Sequence, residues 1–294
     1  FLEKLFSILG PHTPGLVLSG GESTFVPHFP ETVKLAREKG FKEIVVISNG
    51  TRIHIPEIQD ALLKHVDAIR ISIYDWHETD EPSFKEMLKK IKNLRKRIDK
   101  EGSKLEIGAA MLTQTKWNSR YKSVGQQVLD AGVDWLYFHP FCISWENNHP
   151  VQADQIGVVK ALEDFKSDVT GKSKIQIPYE RYLKQPLKFS KLHGAHFLIQ
   201  IGADGINYAG PECKYNPKYA LIDLNKHLDE NFLWKPERLE RIEQINDENY
   251  TVIGTKHRPP MFSDYIEKVI QSRASNGGDE IVEKKPSFMY PDII

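Results

Sequence analysis

The chain has 294 residues, 40% hydrophobic and 27% charged, close to the globular average, which argues against disordered and membrane classes. Forty Lys and Arg balance forty Asp and Glu, so bulk charge gives no pull toward nucleic acid or an anionic membrane, and neither partner is expected. No stretch approaches the ~18 apolar residues of a membrane span, and two cysteines, Cys142 and Cys213, are too few for a disulfide framework or a four-thiolate zinc site.

The chain opens at Phe1 without a Met, in a segment (1–9) that reads as a helix. A short β-branched run, 16–19, ends at Gly20-Gly21. Helix is predicted over 30–39, stopped by Gly40, and strand over 44–48, stopped by Asn49-Gly50. Helix 56–64, strand 68–73 and a long helix 81–100 follow. Met87, Leu88, Ile91, Leu94 and Ile98 fall on one stripe of that helix, its lysines and arginines elsewhere. Its basic run from Lys89 to Arg97 reads as a solvated face. Strand 105–112, helix 119–131 and strand 135–139 complete the series. Apolar strands alternating with helices predict parallel βαβ units. A sixth strand is expected ahead of Phe1, giving an open or partial (β/α) barrel; a flavodoxin-like open sheet is the alternative.

The pattern changes after Phe141. Asn147 to Pro150 is turn chemistry, 153–168 a helix, and 171–194 polar and interrupted by Pro178 and Pro186. Residues 196–202 and 206–208 read as a hairpin around Ala203-Asp204-Gly205, with helices over 235–245 and 263–270. The predicted organisation is a partial barrel at 1–145, a linker with a helix at 146–195, a small α+β extension at 196–271 and a loose tail at 272–294.

Working groups of such a barrel stand at the C-terminal ends of its strands. Here those ends are Ser19-Gly20-Gly21-Glu22-Ser23-Thr24, Ser48-Asn49-Gly50-Thr51, Ser72-Ile73-Tyr74-Asp75, Leu112-Thr113-Gln114-Thr115 and His139-Pro140-Phe141-Cys142. All are polar or aromatic beyond the needs of a turn. Two glycines let a ligand approach the backbone, and Glu22 offers a carboxylate to a cationic amine. A tight turn with a solvated Glu explains the same residues.

Leu18 to Thr24, Pro27-x-Phe29-Pro30, the helix ending Ala36-Arg37-Glu38-Lys39-Gly40, and Ile47 to Thr51 together resemble radical S-adenosylmethionine (radical SAM) enzymes. Arg70 to Ile73 resembles that family's next strand. The resemblance covers residues 1–142. It implies a partial (β/α)6 TIM-like barrel whose first strand is missing. It further implies S-adenosylmethionine as cofactor, with Gly20, Gly21 and Glu22 at its methionyl amine and Ser72 at its ribose. Ser48 and Asn49 would lie beside it, and His139 and Cys142 on the substrate side. The family reduces the cofactor with a [4Fe–4S] cluster held by Cys-x-x-x-Cys-x-x-Cys, yielding a 5′-deoxyadenosyl radical. That motif is absent here. Either the chain is a fragment beginning after the cluster loop, or the protein has lost its cluster; the missing Met and first strand favour a fragment. Ile201 to Cys213 with Leu221 to Asn225 resembles the hairpin of SPASM or twitch extensions. Those bind auxiliary clusters through several cysteines, whereas Cys213, the remaining metal candidate, stands alone. The implied setting is cytoplasmic, with a small-molecule or peptide substrate and a flavodoxin or ferredoxin as electron donor. A cluster-less barrel serving as a ligand- or partner-binding scaffold is the second reading, and an α/β enzyme for a phosphorylated ligand the third.

His139 with Cys142 lacks a nearby third ligand for a metal. His193 and His196 have helical spacing, but Gly194 and the following strand argue against a metal site. Trp76, Trp117 and Trp145 fit core packing or a pocket wall.

Overall fold

The computed structural model describes residues 1–140, 155–169, 174–182, 187–250 and 258–276. These divide into two compact units, one of described residues up to 182 and one from 187 onward.

The first unit runs α1 (Leu2–Leu9), β1 (Gly15–Leu18), α2 (Phe29–Glu38), β2 (Glu43–Ser48), α3 (Pro56–His65), β3 (Ala68–Tyr74), α4 (Trp76–Thr79), α5 (Glu81–Glu101), β4 (Glu106–Thr113), α6 (Tyr121–Asp130), β5 (Trp135–Pro140), α7 (Gln155–Asp168), β6 (Lys174–Gln176) and α8 (Tyr179–Tyr182). The six strands pair in chain order, each parallel to the next. That order turns one way around, as a barrel does. A flavodoxin-like sheet would reverse direction once, so that alternative is excluded.

β6 corrects the sequence reading, which placed 171–194 outside any strand. Only Ile175 of β6 is buried, so a three-residue strand flanked by Lys and Gln leaves no periodic signal. The single turn α4 was likewise invisible at its length.

Packing sorts the strand residues by alternation. Phe138 meets Tyr121 of α6 and Phe165 of α7, ring centroids 5.9 and 6.2 Å apart, so it faces the helices. Trp135, Tyr137 and His139 therefore face the inner side. The register carries that side to Gly108, Ala110 and Leu112 on β4 and to Arg70 and Ser72 on β3. Gly108 is required there: a Cβ would lie 2.2 Å from the Trp135 indole. The buried stripe of α5 is Phe84, Met87, Ile91, Leu94 and Ile98; Asp80 caps its start and Gly102, at φ 66°, its end.

The N-terminal ends of the strands carry a repeated ionic clasp. Asp67, one residue before β3, accepts from Arg37 Nη2 at 2.5 Å and from the Ile44 amide at 2.7 Å. Asp134, one residue before β5, accepts from Arg95 Nη2 and from the Ile107 amide at 2.7 Å. Each carboxylate thus ties a helix to two neighbouring strands. The basic run of α5 is spent partly on such contacts: Lys90 donates to the Thr51 carbonyl, and Arg97 to Asp60 and Glu101. Glu43 and Glu106 open β2 and β4, each with one buried carboxyl oxygen lacking a hydrogen bond among the described residues. Burial first, then the nearby Asp67 or Asp134, raises both carboxyls above their usual range.

The second unit contains a three-stranded antiparallel sheet of β7 (Gln200–Ile201), β8 (Ile206–Tyr208) and β9 (Ala220–Asp223). With it are α9 (Leu224–His227), α10 (Pro236–Glu243) and α11 (Arg258–Asn276). α11 extends at both ends past the expected 263–270, with Pro259 and Pro260 in its first turn, where proline costs no hydrogen bond. Arg238 is 1% exposed and donates to Asn207 Oδ1, Leu233 O and Ala195 O. Burial pushes its guanidinium down to about 10.

Candidate functional site

Glu22 organises the C-terminal ends of β1 and β2. It caps a 3-10 turn at Ser23–Phe25 in extended conformation. Its Oε1 accepts from the Thr24 amide at 3.1 Å, the Thr24 hydroxyl at 2.6 Å and the Ser48 hydroxyl at 2.7 Å. Its Oε2 accepts from the Asn49 amide at 2.5 Å. Oε1 is filled by three donors, while Oε2 has one and retains room for a cation. The Ser48 hydroxyl, buried, also accepts from the Gly50 amide, so Ser48 holds Glu22 and is not itself offered to a ligand. The Asn49 side chain turns back to the Thr51 amide and hydroxyl.

Gly20 and Gly21 are exposed, and a Cβ built on either meets nothing within 4 Å. Their peptide groups are open beside the anchored carboxylate. Ser72, on the inner side of β3, is 5% exposed and its hydroxyl makes no hydrogen bond among the described residues. Just beyond it β3 bulges between Ser72 and Tyr74, and Tyr74 takes φ 51°. A left-handed conformation costs a residue with a Cβ about 1–2 kcal/mol. The Tyr74 ring meets His139 edge-on at 5.9 Å, and His139 lies 5.8 Å from Tyr137.

Outside the inner face, α4 buries His77 at 5% exposure. Its ring contacts Trp117 at 5.2 Å and Phe84 at 6.2 Å, and neither ring nitrogen has a partner among the described residues. Burial first, then the charge of Arg120, lowers its pKa to about 4. Trp117 is thus core, not pocket wall.

The expected residues therefore divide. Gly20, Gly21, Glu22, Ser48 and Asn49 form one constellation; Ser72 and His139 share the inner face of the neighbouring strands. Cys142, Trp145 and the segments 147–150 and 251–257 lie outside the described residues. Cys213 is in the second unit, fully buried, donating to the Tyr250 hydroxyl. Burial and Glu212 push its thiol up to about 12, which disfavours the thiolate a metal needs. His193 faces Glu267 at 3.6 Å within a 3-10 turn. Among the described residues no group of three His, Cys, Asp or Glu could hold a metal. Sequence reasoning passed over Tyr137, His77 and the Glu43 and Glu106 pair; the alternation 135, 137, 139 was the available signal for Tyr137.

No family model and no curated protein matches the chain. Solved structures do. SuiB of Streptococcus suis superposes at a TM-score of 0.61 with 10% identity, over 81% of this chain and 60% of SuiB. The enzyme anSMEcpe with bound AdoMet superposes at 0.57 with 12% identity, over 93% of this chain and 88% of that one. A second anSMEcpe structure, with AdoMet and the Kp18Cys peptide, gives 0.58 and 12% over 93% and 89%. The chain thus shares the fold of these proteins, as its resemblance to radical SAM enzymes implied. At these identities the likeness establishes the barrel and its strand order. The Gly20–Glu22 turn follows β1, and Ser72 lies near the end of β3, with β2 between them in the same sheet. Among the described residues no helix is long and apolar enough to cross a membrane.

Proposed function

We propose that this chain is the S-adenosylmethionine-binding barrel of a radical SAM enzyme. The observation that carries the reading is Glu22, fixed by four donors beside the open Gly20-Gly21 backbone, on a fold that binds AdoMet in anSMEcpe. The free side of Glu22 Oε2 would take the methionyl ammonium, and the Gly20-Gly21 carbonyls its remaining protons. The Ser72 hydroxyl, without a hydrogen-bond partner among the described residues, would bond the ribose. His139 and Cys142 remain proposed for the substrate side.

The residues present fit S-adenosylmethionine but not a [4Fe–4S] cluster. Such a cluster needs three clustered thiolates, and the chain has two cysteines 71 positions apart in sequence, Cys142 and Cys213. Reductive cleavage to a 5′-deoxyadenosyl radical therefore belongs to a polypeptide that also carries those thiolates, and no step of it is assigned to these residues. A flavodoxin or ferredoxin donor and a cytoplasmic setting belong with that cluster-dependent chemistry. A peptide substrate is the preferred class, because anSMEcpe of the same fold is seen with the Kp18Cys peptide. The cysteine count equally favours a second reading, a cluster-less barrel that binds the nucleoside cofactor without cleaving it.

Hydrogen exchange with and without S-adenosylmethionine tests both readings. The expected result is added protection at residues 19–24, 49–51 and 71–74. No protection there, or protection confined to the second unit, would refute the binding site. Stoichiometric iron and sulfide after anaerobic reconstitution would refute the stated misfit with a cluster.

A further inference from the structure

We propose that Tyr74 is a positioning residue that lays its ring against the nucleoside half of the ligand; this deepens the reading of the same site given above. The argument begins with the backbone. Tyr74 is one of two non-glycine residues with positive φ among the described residues, and bulky residues occupy that region only where the surroundings force them. The bulge after Ser72 does the forcing. Without it, normal pleating would carry the chain on without the turn that brings this ring to His139. The ring is half-exposed, and among the described residues its one ring contact is with the His139 imidazole, at 88° and 5.9 Å between centroids.

The chemistry around it selects the ligand class. On the inner side above Arg70, β3, β4 and β5 present Ser72, Ala110, Leu112, Tyr137 and His139. None of these five is a lysine or arginine, so they offer a phosphate no counter-charge of their own. A neutral flat ring, by contrast, gains stacking area on tyrosine and a hydroxyl partner for its sugar. A purine nucleoside meets both requirements.

The test uses the 294-residue chain and three probes: S-adenosylmethionine, 5′-deoxyadenosine and methionine. Affinities are measured by equilibrium dialysis well below each variant's melting midpoint. Tyr74→Asn removes the ring but keeps a residue that tolerates the left-handed conformation. It should weaken S-adenosylmethionine and 5′-deoxyadenosine alike, roughly tenfold, with a melting midpoint no lower than the parent's. Tyr74→Phe should bind both as the parent does, since the ring and not the hydroxyl is invoked. Glu22→Ala should weaken S-adenosylmethionine and methionine but not 5′-deoxyadenosine, separating the two halves of the ligand. Parent-like binding of 5′-deoxyadenosine by Tyr74→Asn would overturn the proposal while leaving the cofactor reading intact. A parent chain that binds no probe at all would overturn that reading itself.

Discussion

The two ends of the six-stranded sheet use the same kinds of residue to opposite effect. At the N-terminal ends, Asp67 and Asp134 spend their acceptors on arginines and strand amides, and each clasp closes on itself. At the C-terminal ends, Glu22 is held as firmly, by Thr24, Ser48 and Asn49. Yet its Oε2 keeps room for a further donor, the Gly20-Gly21 backbone is exposed, and the Ser72 hydroxyl has no hydrogen bond among the described residues. The first arrangement lowers the energy of the fold. The second leaves polar groups open beside a left-handed Tyr74, and we propose that a ligand completes them. A carboxylate in a network is therefore assigned a role by what it leaves unsatisfied, not by how many bonds it makes.

The largest effect that sharpens this contrast is on stability at acid pH. His77 is neutral in the folded chain, with a pKa near 4 against an ordinary 6.5. A depressed histidine pKa means stability is lost as pH falls from 6.5 through 4, by about 3 kcal/mol in all. Urea unfolding across that range should show the loss in the parent and not in His77→Phe. An equal loss in both would mean that other groups carry it.

Next is Asp134→Ala, which removes an ion pair and strands the buried Ile107 amide. It should cost about 2–3 kcal/mol of unfolding free energy and leave ligand affinity unchanged. Asp67→Ala should behave alike, because the Ile44 amide and Arg37 repeat the geometry. If either variant lost affinity with stability intact, the assignment of the two ends would be wrong.

The smallest effect has the opposite pH sign. Glu43 and Glu106 have raised carboxyl pKa values. Their favourable contribution is complete below about 4.5 and fades as pH rises through the folded-state values. Glu43→Gln and Glu106→Gln should each raise the neutral-pH melting midpoint slightly. A lower midpoint would show that the ionised forms are stabilising partners of Arg37 or Arg95.

Much of this barrel was legible in the sequence because its strands are buried on both faces. Runs such as Ile44 to Ile47 and Ile69 to Ile73 admit few other readings, and Gly-Gly-Glu with Ser-Asn-Gly-Thr marked two strand ends. β6 escaped because a short edge strand buries one side chain and carries no period. The roles of Ser48 and Asn49 escaped for another reason. Sequence order shows that they sit at a rim, but not that a hydroxyl is consumed inside the protein. Cys213 could be named a metal candidate from composition; only its burial and the Tyr250 contact show why its thiol stays protonated.

The central claim is that the C-terminal rim is built for S-adenosylmethionine around Glu22. Calorimetric titration of that ligand into the parent chain, Glu22→Ala and Asp134→Ala tests it most directly. The account predicts saturable binding to the parent, unchanged binding to Asp134→Ala, and a loss of about 1.5–3 kcal/mol in Glu22→Ala, the worth of a hydrogen bond to a charged group. Equal affinity of Glu22→Ala and parent, or no binding to the parent, would contradict it.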